Sequence, residues 1–379
     1  MRKAIHYPIW AILALALLAC NTPNKQQPVS DDAVPTLKEA LAGKFYIGTA
    51  LNEDQITGAD TLGLALLTKH FNAITAENCM KSETIHPGVD RYDFDLPDQF
   101  VALGESNDMH IVGHTLIWHS QAPDWFFVDD QGREVAPEVL KERMKEHITT
   151  VVGRYKGRIH GWDVVNEALL EDGSYRPSPF YRILGEAFIP LAFQYAHQAD
   201  PEAELYYNDY NEWHPGKREA IVRLIRDLKS QGIRIDGIGM QGHIGMDYPS
   251  LDEYQAAIKA YADEGMKVMI TELDMSILPA PNWDGGADIA TDIAYQQELN
   301  PYTDGLPDSV AAAWNQRMAA FFDLFRRNAD AITRVTTWGI ADQDSWKNDF
   351  PVRGRTDYPL LFDRNHQLKP VFEELRIRN

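Results

Sequence analysis

Short apolar, β-rich runs recur along the chain, and each ends in polar or aromatic residues before a stretch with helical spacing. Eight of these read as strands: 45–50, 71–76, 110–115, 159–165, 204–208, 237–241, 267–271 and 334–339. They are apolar almost throughout rather than alternating, as expected where both faces of a parallel sheet are covered. Between them, patterns such as 139–155 and 217–231 repeat apolar residues at helical spacing. Eight strand–helix units in alternation predict an α/β fold, a closed (β/α)8 TIM barrel. Such barrels take about 250 residues or more, so most of this 379-residue chain fits one domain.

The residues that follow each strand carry the chemistry. Reading outward from the carboxyl ends gives Glu77-Asn78, His114 to Trp118-His119, Asn166-Glu167, Asn208-Asp209, Gln241 and His243, Glu272 to Asp274, and Trp338. Barrel enzymes assemble their sites from such positions on several strands. Carboxylates, amides, His and Trp are the groups that bind hydroxyl-rich ligands and present flat faces to them. Hydrolysis of a glycosidic bond generally needs two carboxyl groups flanking it. Glu167 follows the apolar run that ends Val164-Val165-Asn166, and Glu272 follows 267–271 in the same way. The pair stands 105 residues apart (167 to 272), or three strand–helix units, which places it on the fourth and seventh strands across the barrel mouth. A lone Glu at a strand end is more often a loop ion pair; two at equivalent positions reverse that weighting. Asp163 and Asp274 are the rivals at the same strand ends, Asp163 read as structural and Asp274 as a support.

These stretches resemble glycoside hydrolase family 10, the xylanases, from residue 36 to the C-terminus. The likeness rests on Glu77-Asn78-Cys79-Met80-Lys81, the run from His114 to Gln121, Trp162 to Glu167, Gln241-Gly242-His243, Thr271-Glu272-Leu273-Asp274, and Thr337-Trp338-Gly339 with Ser345-Trp346. The resemblance implies a retaining endo-1,4-β-xylanase acting on xylan and xylo-oligosaccharides, without cofactor or metal. Glu167 is then the acid/base and Glu272 the nucleophile, their carboxyls about 5–5.5 Å apart. His243, held by Asp274, keeps the nucleophile ionised. Glu77, Asn78 and Lys81 bind the sugar one unit beyond the reactive ring. His114, Trp118, Gln121, Asn166 and Gln241 contact that ring or support the pair, Asn166 through the 2-hydroxyl, and Asn208 lies on the aglycone side. Trp338 and Trp346, in the loops after the eighth strand, crowd the sugar where glucose carries a hydroxymethyl group, a discrimination worth about 1–3 kcal/mol. The segment 278–308 is too long for a simple connection and is expected to cover part of the mouth. Two other readings are a broad β-1,4-glucanase on the same barrel and a surface glycan-binding protein without catalysis.

The first residues read differently. Arg2 and Lys3 precede an apolar run, 9–19, that is short for a bilayer span. The run ends Leu17-Leu18-Ala19-Cys20, which resembles a bacterial lipobox and implies cleavage with acylation of Cys20; an uncleaved anchor or a plain secretory signal is the alternative. Residues 21–35 are a polar tether unable to build a core, leaving 36–379 as the catalytic domain. With Cys20 acylated, Cys79 stands alone, so no intramolecular disulfide can form. A lone buried Cys is usually a small hydrophobe rather than a nucleophile, and His86, His110 and His119 read as structural. No Cys or His cluster has metal-ligand spacing. The net charge of −20 excludes nucleic acid as a partner and argues against docking on an anionic bilayer. The lipid is then the membrane contact, at the cell envelope.

Overall fold

Thr36 caps the short helix Leu37–Ala40, accepting from the Glu39 N–H while the Glu39 carboxylate accepts from the Thr36 N–H at 2.7 Å. The last helix, Pro370–Ile377, packs beside it, and Arg376 Nε donates to the Pro35 carbonyl at 2.6 Å. This computed structural model describes residue 1 and residues 34–278, 300–350 and 353–377. Cys20, with the leader and nearly all of the tether, lies outside the described residues.

Between the two fastened ends run eight barrel strands: β1 (Tyr46–Leu51), β2 (Ala73–Ala76), β3 (His110–Trp118), β4 (Gly161–Asn166), β5 (Glu204–Asp209), β6 (Gly237–Met240), β7 (Lys267–Ser276) and β8 (Ile332–Thr337). Every neighbouring pair is parallel, and β8 closes the ring on β1 with Arg334 opposite Tyr46. At least one helix follows each strand, so the expected (β/α)8 barrel is the observed one. After Gln241-Gly242, a three-residue extension, His243–Gly245, pairs with β7 and sets His243 opposite Asp274.

Two strands run further than the stretches 110–115 and 267–271 read from the sequence. β3 continues to Trp118, opposite Asn166 on β4, and β7 continues to Ser276, with Leu273 opposite Thr337 on β8. Both ladders shift register on the way; β3 adds the apolar Leu116, Ile117 and Trp118, whereas β7 carries the polar Glu272 and Asp274 into the sheet. Glu272 and Asp274 are therefore held in a sheet rather than on a loop. The helices Pro137–Arg154 and Pro215–Ser230 begin two residues before their apolar patterns, because each starts on a proline whose fixed φ suits the first turn.

Close packing around the strands needs missing side chains. A Cβ on Gly161 would stand 2.5 Å from the Tyr206 ring, and one on Gly113 would stand 2.2 Å from the Trp162 ring. Tyr206 packs with Val112 and Met269 in a cluster separate from the main core. Outside the sheet, the helix Asp308–Arg327 buries Trp314, Met318, Phe321, Phe322 and Phe325, and the Trp314 indole donates to the Met275 carbonyl at 2.8 Å. Most of the segment expected over the mouth, residues 279–299, lies outside the described residues. Its described end packs on the loop that precedes the last helix: Asn300 Oδ1 accepts from the Thr356 N–H, and the Tyr358 hydroxyl donates to the Tyr302 carbonyl, both at 2.9 Å.

Candidate active site

The carboxyl ends of the strands surround a cavity of about 400 Å³. Glu167, the residue after β4, takes a left-handed backbone (φ 57°) that costs a non-glycine residue roughly 1–2 kcal/mol. Its N–H donates to the Asn208 carbonyl at 2.9 Å, and its carbonyl accepts from Arg176 Nε at 3.0 Å, which hold the turn. The side chain is 5% exposed. Its Oε2 accepts from the Trp118 indole at 2.9 Å; its Oε1 accepts from Gln241 Nε2 at 3.0 Å and Asn166 Nδ2 at 3.4 Å. All of these side-chain donors are uncharged.

Glu272, inside β7, is equally buried but differently served. Its Oε1 accepts from Asn208 Nδ2 at 2.9 Å, and its Oε2 lies 3.2 Å from His243 Nε2. His243 Nδ1 sits 2.9 Å from Asp274 Oδ1. Burial alone would push Glu272 up, but the hydrogen bond from His243, the charges of His114 and His243, and the Asn208 amide hold it below the usual carboxylate range. Burial likewise works against the His243 charge, yet Asp274 and Glu272 together raise its pKa to about 9. At neutral pH the ring is an imidazolium that donates to both carboxylates. Asp274 is completely buried; its other oxygen accepts from the Trp346 indole at 2.9 Å, and Lys347 Nζ stands 3.4 Å from the first. Burial pushes Asp274 up, but His243 and Lys347 outweigh it and keep the carboxyl below its ordinary value.

Three amides join the two carboxylates without adding charge. The two N–H groups of Asn208 go to Asn166 and Glu272, and those of Gln241 go to Asn166 and Glu167. Asn166 Oδ1 receives both, at 2.9 and 3.2 Å, and Thr271 Oγ1 donates to Asn208 Oδ1 at 2.6 Å. On one wall Lys81 Nζ donates to Asn78 Oδ1 at 2.8 Å and Gln121 Oε1 at 2.9 Å, over the Trp118 ring. Burial lowers the Lys81 pKa, against the pull of Glu77, Glu272 and Glu167. Glu77 beside it is pushed up by burial, against the pull of Lys81. On another wall Trp338 meets His114 edge-on at 5.2 Å, and Trp346 meets His243 edge-on at the same centroid distance.

Glu77, Asn78, Lys81, His114, Trp118, Gln121, Asn166, Gln241, Trp338 and Trp346 thus line one cavity with His243 and both glutamates. Asn208 departs from that expectation. It is fully buried and lies behind the lining, because Glu272, Asn166 and Thr271 take up its amide. Tyr210 and Asn211 of the same strand end face the cavity instead, and Ser120, Tyr248, Lys347 and Phe350 join them. Tyr210-Asn211 could have been found by reading two residues further past β5; Tyr248 and Phe350 stand in loops with no pattern to flag them. Asp163 accepts from His114 Nδ1 at 2.9 Å beneath the lining. Cys79 is buried, and burial pushes its thiol up to about 12, so it is inert as a nucleophile. His86 stacks on Tyr92 and His110 on Tyr46, away from the cavity.

A barrel with two buried carboxylates, an amide bridge and indole walls at its mouth has the equipment of a carbohydrate hydrolase. The model of glycosyl hydrolase family 10 matches residues 36–377. Endo-1,4-beta-xylanase A of Xylanibacter ruminicola is 51% identical over 341 residues, 90% of this chain and 92% of that protein. The endo-1,4-beta-xylanase of Geobacillus stearothermophilus is 43% identical over 342 residues, 90% of this chain and 97% of that one. Among solved structures, an endoxylanase of this family retrieved from a sugarcane soil metagenome superposes with a TM-score of 0.85 at 44% identity, over 90% of this chain and 99% of the other. A mutant protein in complex with xylotriose superposes with a TM-score of 0.80 at 35% identity, over 90% and 99%. The chain belongs to glycosyl hydrolase family 10 and is, with that family, an enzyme that hydrolyses glycosidic bonds.

The imidazolium of His243 has a consequence for stability. Its pKa is raised on folding, so its contribution is fully present below the unfolded value of 6.5 and is lost as pH rises through about 9. Glu212, buried and pushed up to about 8, loses stability in an overlapping window. The difference between wild type and His243→Asn is therefore the readout. Thermal melts from pH 6 to 10 are predicted to show wild type losing on the order of 3 kcal/mol more than the variant; parallel curves would place the titration elsewhere.

Proposed function

We propose that this chain is a retaining endo-1,4-β-xylanase that hydrolyses internal bonds of xylan by double displacement. The observation that carries the mechanism is the unequal setting of the two carboxylates. Glu272 is backed by an imidazolium, whereas the Glu167 side chain receives only uncharged donors. A pair of carboxyl groups whose surroundings push them apart divides into a nucleophile and an acid. Glu272 attacks the anomeric carbon while Glu167 gives its proton to the departing glycosidic oxygen, leaving a glycosyl ester on Glu272. Esterification removes the Glu272 charge. Glu167, now a base, takes a proton from water as that water attacks the same carbon, which returns the sugar with its configuration retained and frees Glu272. Asn166, locked by Asn208 and Gln241, is placed to bond the 2-hydroxyl. Glu77, Asn78, Lys81 and Gln121 hold the next sugar on the glycone side, and Tyr210 and Asn211 lie beyond Glu167.

Xylan as substrate is supported by the activities of the relatives and by the indole walls. Trp346 is held by Asp274 and stacked on Phe350 at 5.2 Å, so it resists displacement by a hydroxymethyl group. A glucan-directed reading needs that wall to open. Digestion of unbranched xylan followed by mass spectrometry is predicted to give short xylo-oligosaccharides, with Glu272→Ala slowed at least 10⁴-fold, roughly the scale on which removal of a covalent nucleophile acts. Release from cellulosic oligomers alone would overturn the substrate; wild-type binding without release would make the chain a glycan-binding protein.

The proposal extends to location. The charged start at Arg2 and Lys3, the apolar run 9–19 and the Leu17-Leu18-Ala19-Cys20 sequence support export and a lipid on Cys20 at the cell envelope, with 21–35 as tether. Wild type is predicted to incorporate labelled fatty acid and to sediment with membranes, and Cys20→Ala to do neither; fatty-acid labelling that persists in the variant would contradict it.

A further inference from the structure

Beneath the cavity, the barrel interior holds a buried cation that the mechanism above does not use. Arg334 stands on β8 in register with Met269 of the interior cluster and is 2% exposed. Its Nη1 donates to Thr336 Oγ1 at 2.9 Å and to Thr75 Oγ1 at 3.3 Å. Its Nε and Nη2 find no acceptor among the described residues. Enclosing a guanidinium with donors unfilled is costly, so a position of this kind needs a return elsewhere.

The complementary group stands across the barrel. β4 lies opposite β8 in the ring of strands, and its Asp163 is 1% exposed. Asp163 Oδ2 is taken by His114 Nδ1 at 2.9 Å, while Oδ1 also has no partner among the described residues. Two unfilled donors on a cation and one unfilled acceptor on an anion therefore share one interior. Burial works against the Arg334 charge, and Asp163 is foremost among the acidic groups that favour it, ahead of Glu204 and Glu272. Tyr206, the ring for which Gly161 leaves room, also borders the group but gives its hydroxyl to Glu204 at 2.7 Å. It does not compete for the guanidinium. Water is small enough to complete both unfilled sets at this depth, and buried waters characteristically join such groups.

We infer that Arg334 is a positioning residue for the substrate cavity: through interior water it stabilises the charge of Asp163, which fixes the ring of His114 in the cavity wall. With Nδ1 committed to Asp163, His114 presents Nε2 as its remaining polar atom, and the ring is braced by the edge contact with Trp338. Removing the cation leaves Asp163 enclosed with His114 as its one hydrogen-bonded side-chain partner among the described residues. Asp163 is then less firmly placed, and the hold on the His114 ring weakens. The inference rests on the reading above only in treating His114 as a sugar-contacting wall.

The test uses the whole chain with ¹⁵N-labelled histidine, in Arg334→Met, Arg334→Lys and Asp163→Asn. The expected result is that the His114 ring signals of Arg334→Met move toward those of Asp163→Asn, that kcat/KM on xylo-oligosaccharides falls about tenfold in both, and that Arg334→Lys recovers most of both readouts. His243 signals stay in place. Arg334→Met with unchanged His114 signals and unchanged kcat/KM, however much its melting temperature falls, overturns the inference. Should Arg334→Met fail to fold, Arg334→Gln alone and on the Asp163→Asn background decides: the inference requires its effect on His114 to vanish once Asp163 is neutral, and an undiminished effect overturns it. Because the ring signals are read without substrate, a different substrate for the enzyme would leave this result standing.

Discussion

An ionised carboxylate buried within β7 is the constraint from which the rest of this site follows. Taking Glu272 out of water is expensive, and the structure offsets the cost with a cation, His243, placed by pairing of the β6 extension with β7. That cation is itself buried and requires an anion, which Asp274 supplies from the same strand two residues on, where side chains return to the same face. Asp274 in turn is satisfied by Trp346 and Lys347. The indole that walls the cavity is thus tied to the group that keeps the carboxylate charged. Narrowing the cavity and charging its floor are parts of one chain of contacts.

Glu167 is built on a different principle. Its left-handed backbone and the surrounding Trp118, Gln241 and Asn166 donors orient it without any cation at its carboxylate. The bridging amides let two carboxyl groups share a small volume while their protonation stays free to differ. A lysine or arginine in place of Gln241 would favour the ionised form of Glu167 and oppose its proposed role as an acid. Neutral side-chain donors to the Glu167 carboxylate suit that role, and the imidazolium is kept at Glu272.

Much of this arrangement was legible from the residues alone, for a physical reason. Parallel strands covered on both faces must be apolar, so polar residues at their carboxyl ends stand out. Glu77, His114, Glu167, Gln241 and Glu272 stand out in this way, and all five line the cavity. The same signal misled at Asn208, because a polar residue at a strand end can face another polar residue rather than the ligand, and only the pairing of β4, β5 and β7 decides which. β3 and β7 outrun the expected stretches, through the apolar Leu116 to Trp118 in the one and through the polar Glu272 and Asp274 in the other. In the sequence Arg334 is merely the start of a strand; that its side chain is buried inside the barrel, bonded to Thr336 and to Thr75 of β2, depends on a register no local pattern encodes. Tyr248, Lys347 and Phe350 are placed by loop geometry alone.

The most direct test of the account is to trap the glycosyl enzyme. A xylobioside with fluorine at the 2-position and a good leaving group slows both steps, but slows breakdown of the ester more than its formation, so the intermediate accumulates. The account predicts a single added disaccharide mass, located by peptide mapping on Glu272. Attachment at Asp274 or at any other residue, or turnover of xylan with no covalent adduct and an inverted product, would contradict it.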